Sequence, residues 1–217
     1  MLAAAKNLLS NVHLYILLQK ALGADRLRYR CLDEASPQPG DTILDVGCGP
    51  AYYFERLGEV RYVGFDTEPR YIAWATKKWG DRADFRCEVF TDAHLGDLPP
   101  VNKVLLLGLL HHLSDEDSRV LLDLAARALA PGGTVISVDT CFEPTQGRIS
   151  RWMSDNDRGE FVRTPEEFVA LAGGSFSDVH GEVWSKTTRM PSSFWMMRMA
   201  TPVSAPAPAA AVEAKRA

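Results

Sequence analysis

One bend constrains this chain more than any other feature of its sequence. In "TILDVGCGPAYYFERL", residues 42–57, an apolar run closes on Asp45 and Val46, and Gly47, Cys48, Gly49 and Ala51 follow at once. Glycine lets the backbone turn sharply and lets another molecule approach it closely. The bend follows the first of several apolar runs that alternate with helical patterns. "DTILDV" reads as strand one, "AYYFERL" as a short helix and "RYVGF" as strand two. "EPRYIAWATKKWG" is a helix stopped by glycine, "ADFRCEV" strand three and "VNKVLLLGLL" strand four. "SDEDSRVLLDLAARALA" is a helix opened by Ser114 with acids in its first turn, "PGG" ends it, and "TVISVD" is strand five. Such alternation means a parallel sheet with helices on both faces, and strands apolar on both sides agree.

The flanks read differently. Two helical stretches, roughly 3–20 and 24–35, precede "SPQPGD", whose prolines and glycine break the pattern. The first is apolar, but Asn7, Ser10, Asn11, His13 and Gln19 interrupt it, so it forms neither a signal peptide nor a membrane span. "TPEEFVALAGG" carries a capping box, with Thr164 as cap and Glu167 at its third position. "SDVHGEVWSKTT" and "SSFWMMRMA" make an antiparallel hairpin. The Pro/Ala-rich end has little to bury and is expected to be disordered. The expected division is a helical cap over 1–36, a ligand-binding domain over 37–200 and a tail over 201–217. Cys31, Cys48, Cys87 and Cys141 form no Cys-x-x-Cys pair and read as free thiols of a reducing, cytoplasmic compartment. A net charge of -4 argues against a nucleic-acid surface.

In an open parallel sheet, ligands bind beyond the carboxyl ends of the strands where strand order reverses, so a nucleotide-like ligand is the default. A dinucleotide fingerprint needs glycine at position 52, where this chain has Tyr52. From Asp45 the pattern is instead D-x-G-x-G-x-A, which resembles motif I of the class I S-adenosylmethionine-dependent methyltransferases, with Ala51 in place of the last glycine. Asp66, ending "RYVGFD", matches the acid that family places on the ribose, with Thr67 beside it. "FTDAHLGDLP" resembles the element whose acid meets adenine, which falls on Asp92 with Ala93 next to it. "LLLGLLHHL" and "LAPGGTVISVD" resemble the strand-four loop and the stretch into strand five. The resemblance implies a Rossmann-like three-layer α/β sandwich, with a mostly parallel seven-stranded sheet, a C-terminal antiparallel hairpin and N-terminal helices. It implies S-adenosylmethionine as cofactor, with Asp45, Gly47, Cys48, Gly49, Asp66, Thr67, Asp92, Ala93 and Gly108 around it.

Methyl transfer asks the protein mainly to hold nucleophile and methyl in line. A base is needed only where the acceptor loses a proton. His111 and His112, just past strand four, are the candidates, with His111 preferred; the alternative is a pair of rings tied to backbone. Segment 141–163 is a candidate lid. It holds Arg148, Arg151, Trp152, Arg158 and Arg163: two or three of the arginines with the aromatic either grip an anionic or sugar-bearing acceptor, or the arginines are solvated charges pairing with Glu143, Asp155 and Asp157. Tyr15 is a candidate from the N-terminal side. No metal is assigned. The acceptor expected is a small molecule, since the Asn/Asp-Pro-Pro-aromatic tetrapeptide of base-methylating enzymes is replaced here by "GLLHH". A nicotinamide oxidoreductase and a non-catalytic nucleoside-binding protein are the competing readings.

Overall fold

The computed structural model describes residues 12–157 and 159–203. A single seven-stranded sheet runs through it in the order β3-β2-β1-β4-β5-β7-β6. Its strands are β1 (Thr42–Val46), β2 (Arg61–Phe65), β3 (Ala83–Arg86), β4 (Val101–Leu107), β5 (Leu129–Thr140), β6 (Phe176–Ser185) and β7 (Ser193–Pro202). β1 to β5 pair in parallel, while β7 pairs antiparallel with both β5 and β6. The strand order reverses between β1 and β4, which opens a crevice beyond their carboxyl ends.

Alternation along the buried strands divides the core in two. Leu44, Val46, Val104 and Leu106 face the helices α4 (Asp115–Ala128) and α6 (Pro165–Ala172). Ile43, Leu105, Leu107 and Ile136 face α2 (Ala24–Ala35) and α3 (Pro69–Trp79), with α1 (Val12–Leu22) beyond them. The three-layer α/β sandwich expected from the sequence is therefore present. Local signals explain the helix ends. Ser114 accepts from Asp117 N–H to open α4, and Thr164 and Glu167 form the capping box of α6. Glu68 caps α3, where Pro69 needs no donor.

Several boundaries differ from the sequence reading. "AYYFERL" does not form an α-helix behind the bend; only Phe54–Leu57 coil, as a 3₁₀ turn. Gly47, Gly49 and Ala51 all hold left-handed backbone at φ 75°, 55° and 45°, so the chain keeps bending instead of starting a helix. No helix N-terminus therefore backs the bend. β3 ends at Arg86 rather than at Val89, and β4 ends at Leu107, where Gly108 turns left-handed. α4 ends at Ala128, before "PGG", and β5 begins there with a break in register opposite Val101 and Lys103. Segment 141–163 contains a helix, α5 (Arg148–Asp155). β7 runs to Pro202, two residues into the stretch expected to be disordered. The helix expected over 3–20 is described from Val12 and continues to Leu22; residues 1–11 and 204–217 lie outside the described residues.

The central strands set the stability. Leu106 is fully buried in β4 between neighbours on both sides. Leu106→Ala should cost about 2–5 kcal/mol in urea unfolding, whereas Val120→Ala on the exposed face of α4 should change it by less than about 1 kcal/mol.

Candidate active site

The bend after β1 is stitched to the tip of β2. Gly47 N–H and Cys48 N–H both donate to Phe65 O, at 2.8 and 3.0 Å. Asp66 completes the joint: its Oδ2 accepts from Gly49 N–H and its Oδ1 from Glu68 N–H, each at 2.8 Å. Burial raises the Asp66 pKa, and the backbone donors pull against that rise. A side chain on Gly49 would meet nothing within 4 Å, so the bend faces open space. Cys48 contributes backbone only. Its thiol is buried toward Gly64, and burial pushes its pKa well up.

A cleft of about 470 Å³ opens beside this joint, lined among others by Gly47, Asp66, Thr67, Glu88, Phe90 and His112. Most of its remaining wall is apolar, from Val89, Leu109, Leu113, Val120 and Leu124. The Phe90 ring packs edge-on against Phe65 and stacks on His94. Asp92 and Ala93 are not among the lining residues. Both are exposed on a 3₁₀ turn, and Arg127 holds the Asp92 carboxylate at the surface. Because β3 stops at Arg86, the acid following β3 that lines the cleft is Glu88, beside Asp66 and Asp117 from other elements. His94 helps to place it: His94 Nδ1 accepts from Thr91 N–H at 2.9 Å, which leaves the Nε2 proton facing Glu88 Oε1 at 3.4 Å. A reading that took the first acid after β3 would have found Glu88.

On the opposite sheet face, Asp45 is buried. Its Oδ2 accepts from the Tyr53 and Tyr62 hydroxyls at 2.8 and 2.7 Å, while its Oδ1 has no partner among the described residues. Burial pushes its pKa to about 6 against those hydroxyls and Arg28. Arg28 on α2 is a residue the sequence reading missed. Its Nη1 donates to Gln19 Oε1 at 2.9 Å and to the Tyr52 hydroxyl at 3.2 Å. Nε and Nη2 make no hydrogen bond among the described residues. The available signal was a cation beside the buried stripe Leu27 and Cys31. Tyr15 stacks on Tyr71 of α3, 5.0 Å between centroids, which lays α1 over this side.

The tip of β4 carries the histidines. Gly108 N–H donates to Val138 O at 2.8 Å, and the nearest atom a side chain there would meet is His111 Cε1 at 3.7 Å. Asp139, at the end of β5, receives both His111 N–H at 3.1 Å and Nδ1 at 2.7 Å. Asp157 Oδ1 lies 3.3 Å from Nε2, and Asp157 also accepts from Thr140 at 3.1 Å. Burial opposes charge on the ring, but the Asp139 bond and the charges of Asp139 and Asp157 outweigh both it and Arg163, so the His111 pKa is raised. His112 stacks on His111 at 4.1 Å and turns its ring to the cleft. A strap of which Asp157 and residues 159–161 are described lies directly over His111. Phe161 N–H donates to His111 O at 3.0 Å, and a Cβ on Gly159 would fall 2.2 Å from the ring, so only glycine fits there. Arg163 fixes the loop by donating to Leu110 O and Leu113 O and pairing with Asp115. Asp139 was not singled out from the sequence, and Asp157 was named only as a pairing partner for the arginines of its segment; nothing there marks either apart from other acids. Arg148 and Trp152 lie on α5, away from the 470 Å³ cleft, and Arg158 lies outside the described residues. No three His, Cys, Asp or Glu residues are grouped to hold a metal among the described residues.

A glycine bend locked to an acid at the tip of β2, beside an apolar cleft, is the arrangement against which known proteins can be compared. Residues 43–133 match the family profile described as a methyltransferase domain. Over those residues the chain is similar to a methyltransferase domain. Its solved structural neighbours agree in fold. Human N-acetylserotonin methyltransferase, solved in complex with SAM, is 19% identical with a TM-score of 0.57; the match covers 73% of this chain and 46% of that enzyme, so this chain spans about half its length. The N-methyltransferase NodS from Bradyrhizobium japonicum WM9 is 16% identical with a TM-score of 0.57, covering 83% of this chain and 94% of its own. The [4+2]-cyclase SpnF is 17% identical with a TM-score of 0.62, covering 83% and 82%. At these identities the likeness establishes the fold.

The histidine geometry predicts a titration. NMR of the ring should place the His111 midpoint above the ordinary 6.5. Asp157→Asn removes a negative charge facing Nε2, favours the neutral ring and should lower that midpoint; an unmoved midpoint would mean the two side chains do not interact in solution.

Proposed function

We propose that this protein transfers a methyl group from S-adenosylmethionine to a small-molecule acceptor by in-line displacement. The observation that carries the reading is the Asp66 carboxylate, which ties the glycine bend to the β2 tip at the mouth of an apolar cleft. A carboxylate there has lone pairs left for a ribose diol, and Phe90, Leu109 and Leu113 offer apolar walls for an adenine, with Glu88 at its edge. The Oδ1 of Asp45 and the Nε and Nη2 of Arg28 have no partner among the described residues; the first suits the donor's ammonium group and the second pair its carboxylate. The donor, once bound, supplies an electrophilic methyl on a positively charged sulfur. The chain's own task is then to bind, orient and exclude water.

For an acceptor that must lose a proton, the His111–Asp139 pair is the base the site offers. Asp139 fixes the ring through Nδ1 and stabilises the imidazolium that forms; Nε2 is the atom that takes the proton once the Asp157 strap gives way. A small acceptor fits a chain of net charge -4 without a separate basic domain. The nicotinamide alternative has against it Tyr52, whose ring packs on Tyr53 where a third glycine would be needed.

Calorimetry with S-adenosylhomocysteine tests the reading. The protein should bind it, Asp66→Ala should weaken binding by about 10–100-fold and Arg28→Gln by about 10-fold, from lost charge-assisted hydrogen bonds. His111→Gln should leave the affinity unchanged. Equal affinity in Asp66→Ala and the parent protein would sink the assignment.

A further inference from the structure

A second cleft, about 660 Å³, opens on the same edge of the sheet between the start of α5 and the turn joining β6 to β7. Three independent features converge on it. The first is charge. Arg148 and Lys186 both line it, and neither makes a hydrogen bond or ion pair among the described residues. The second is the open end of α5, whose N-cap is Gly147 and carries no side-chain cap bond, so the N–H groups of its first turn lack partners from that source. The third is Ser192. It is 8% exposed and lines the cleft, and its hydroxyl has no hydrogen-bond partner among the described residues. Its neighbours differ: Ser150 and Ser193 are bonded to each other at 3.1 Å.

One acid, Glu143, also lines the cleft. Its oxygens are engaged by Thr145 N–H at 3.2 Å and Ser193 Oγ at 3.3 Å, so its charge is partly satisfied. The packing of α5 keeps its start at the cleft. This helix turns its serines inward and leaves Ile149 and Trp152 about 60% exposed (59% and 60%). Ser154 donates to Cys141 O at 3.1 Å, and Gln146 donates to both Ser150 and Ser154. Polar bonds to the tip of β5, not apolar burial, therefore set where the α5 N-terminus lies.

We propose that this cleft is a phosphate site. Two cations, the N–H groups of a helix start and a free hydroxyl can surround a tetrahedral oxyanion. The cleft borders the start of β7, and β7 lies two strand spacings, roughly 10 Å, from β4, whose tip leads into the His111 loop. A phosphorylated acceptor of that length would be held at one end here and present its reactive atom at the other. A free phosphate would use the same groups. The site stands independently of the donor assignment.

Amide-shift titration of Gly147, Arg148 and Ile149 by NMR tests it, with inorganic phosphate and phenyl phosphate as probes. Both should give saturable shifts. Arg148→Gln with Lys186→Gln should weaken binding at least about tenfold, and Ser192→Ala about two- to fivefold. Tighter binding of phenyl phosphate assigns the phosphate to a larger ligand, and equal binding assigns a free ion. Shifts that do not saturate, or that persist undiminished in the double variant, overturn the site. The double variant changes only exposed side chains, and its affinity for S-adenosylhomocysteine should match the parent. If the parent fails to bind S-adenosylhomocysteine, the donor assignment falls while the phosphate result stands.

Discussion

The Asp66 carboxylate holds the site together. Without it, the bend after β1 and the start of α3 would be two loops of different elements lying side by side. With it, Gly49 N–H and Glu68 N–H converge on one anion, and the tips of β1 and β2 become a single rigid edge. Each such bond contributes about 1.5–3 kcal/mol. Phe65 O accepts two further N–H groups from the bend, those of Gly47 and Cys48, so the joint does not depend on side chains alone. The left-handed backbone at Gly47 and Gly49 is what turns those N–H groups inward; the surface outside Gly49 is bare, while Leu109 packs against the outside of Gly47. The crevice between β1 and β4 then follows from the strand order.

The same edge carries a second fixed unit one strand along. His111 is bonded through backbone and ring to Asp139, roofed by Gly159 and Phe161, and pinned from below by Arg163. Asp157 makes this unit different from a simple base pair, because it occupies the outer ring nitrogen and belongs to the strap rather than to the sheet. Access to the ring and position of the strap are therefore one variable. On the Asp45 side the corresponding cover is α1 and α2, which bring Gln19 and Arg28 over Tyr52.

The framework was legible in the sequence because parallel strands buried on both faces leave unbroken apolar runs, and because Ser114, Glu68 and Thr164 mark helix starts by their own chemistry. β2 matched its expected residues throughout, and the C-terminal hairpin was visible in its spacing. The joint of bend and acid was legible where it rests on backbone geometry, since Gly47, Gly49 and Asp66 do come together at the tips of β1 and β2. It was not legible where it rests on the length of a loop or on contacts between distant elements. Glu88 rather than Asp92 reaches the cleft because β3 is short, and periodicity does not fix where a strand ends. Arg28, Asp139 and Asp157 meet their partners only through packing of α2, β5 and the strap. The α-helix expected in "AYYFERL" gave way to a 3₁₀ turn because Ala51, no less than the glycines, holds left-handed backbone.

The central claim is that the joined tips of β1 and β2 cradle an adenosyl group. A crystal structure with S-adenosylhomocysteine tests it most directly. The account predicts ribose hydroxyls on Asp66, adenine against Phe90 and the sulfur directed toward Gly108. Density for the nucleoside anywhere else, or its absence from a crystal whose bend is free of lattice contacts, would contradict it.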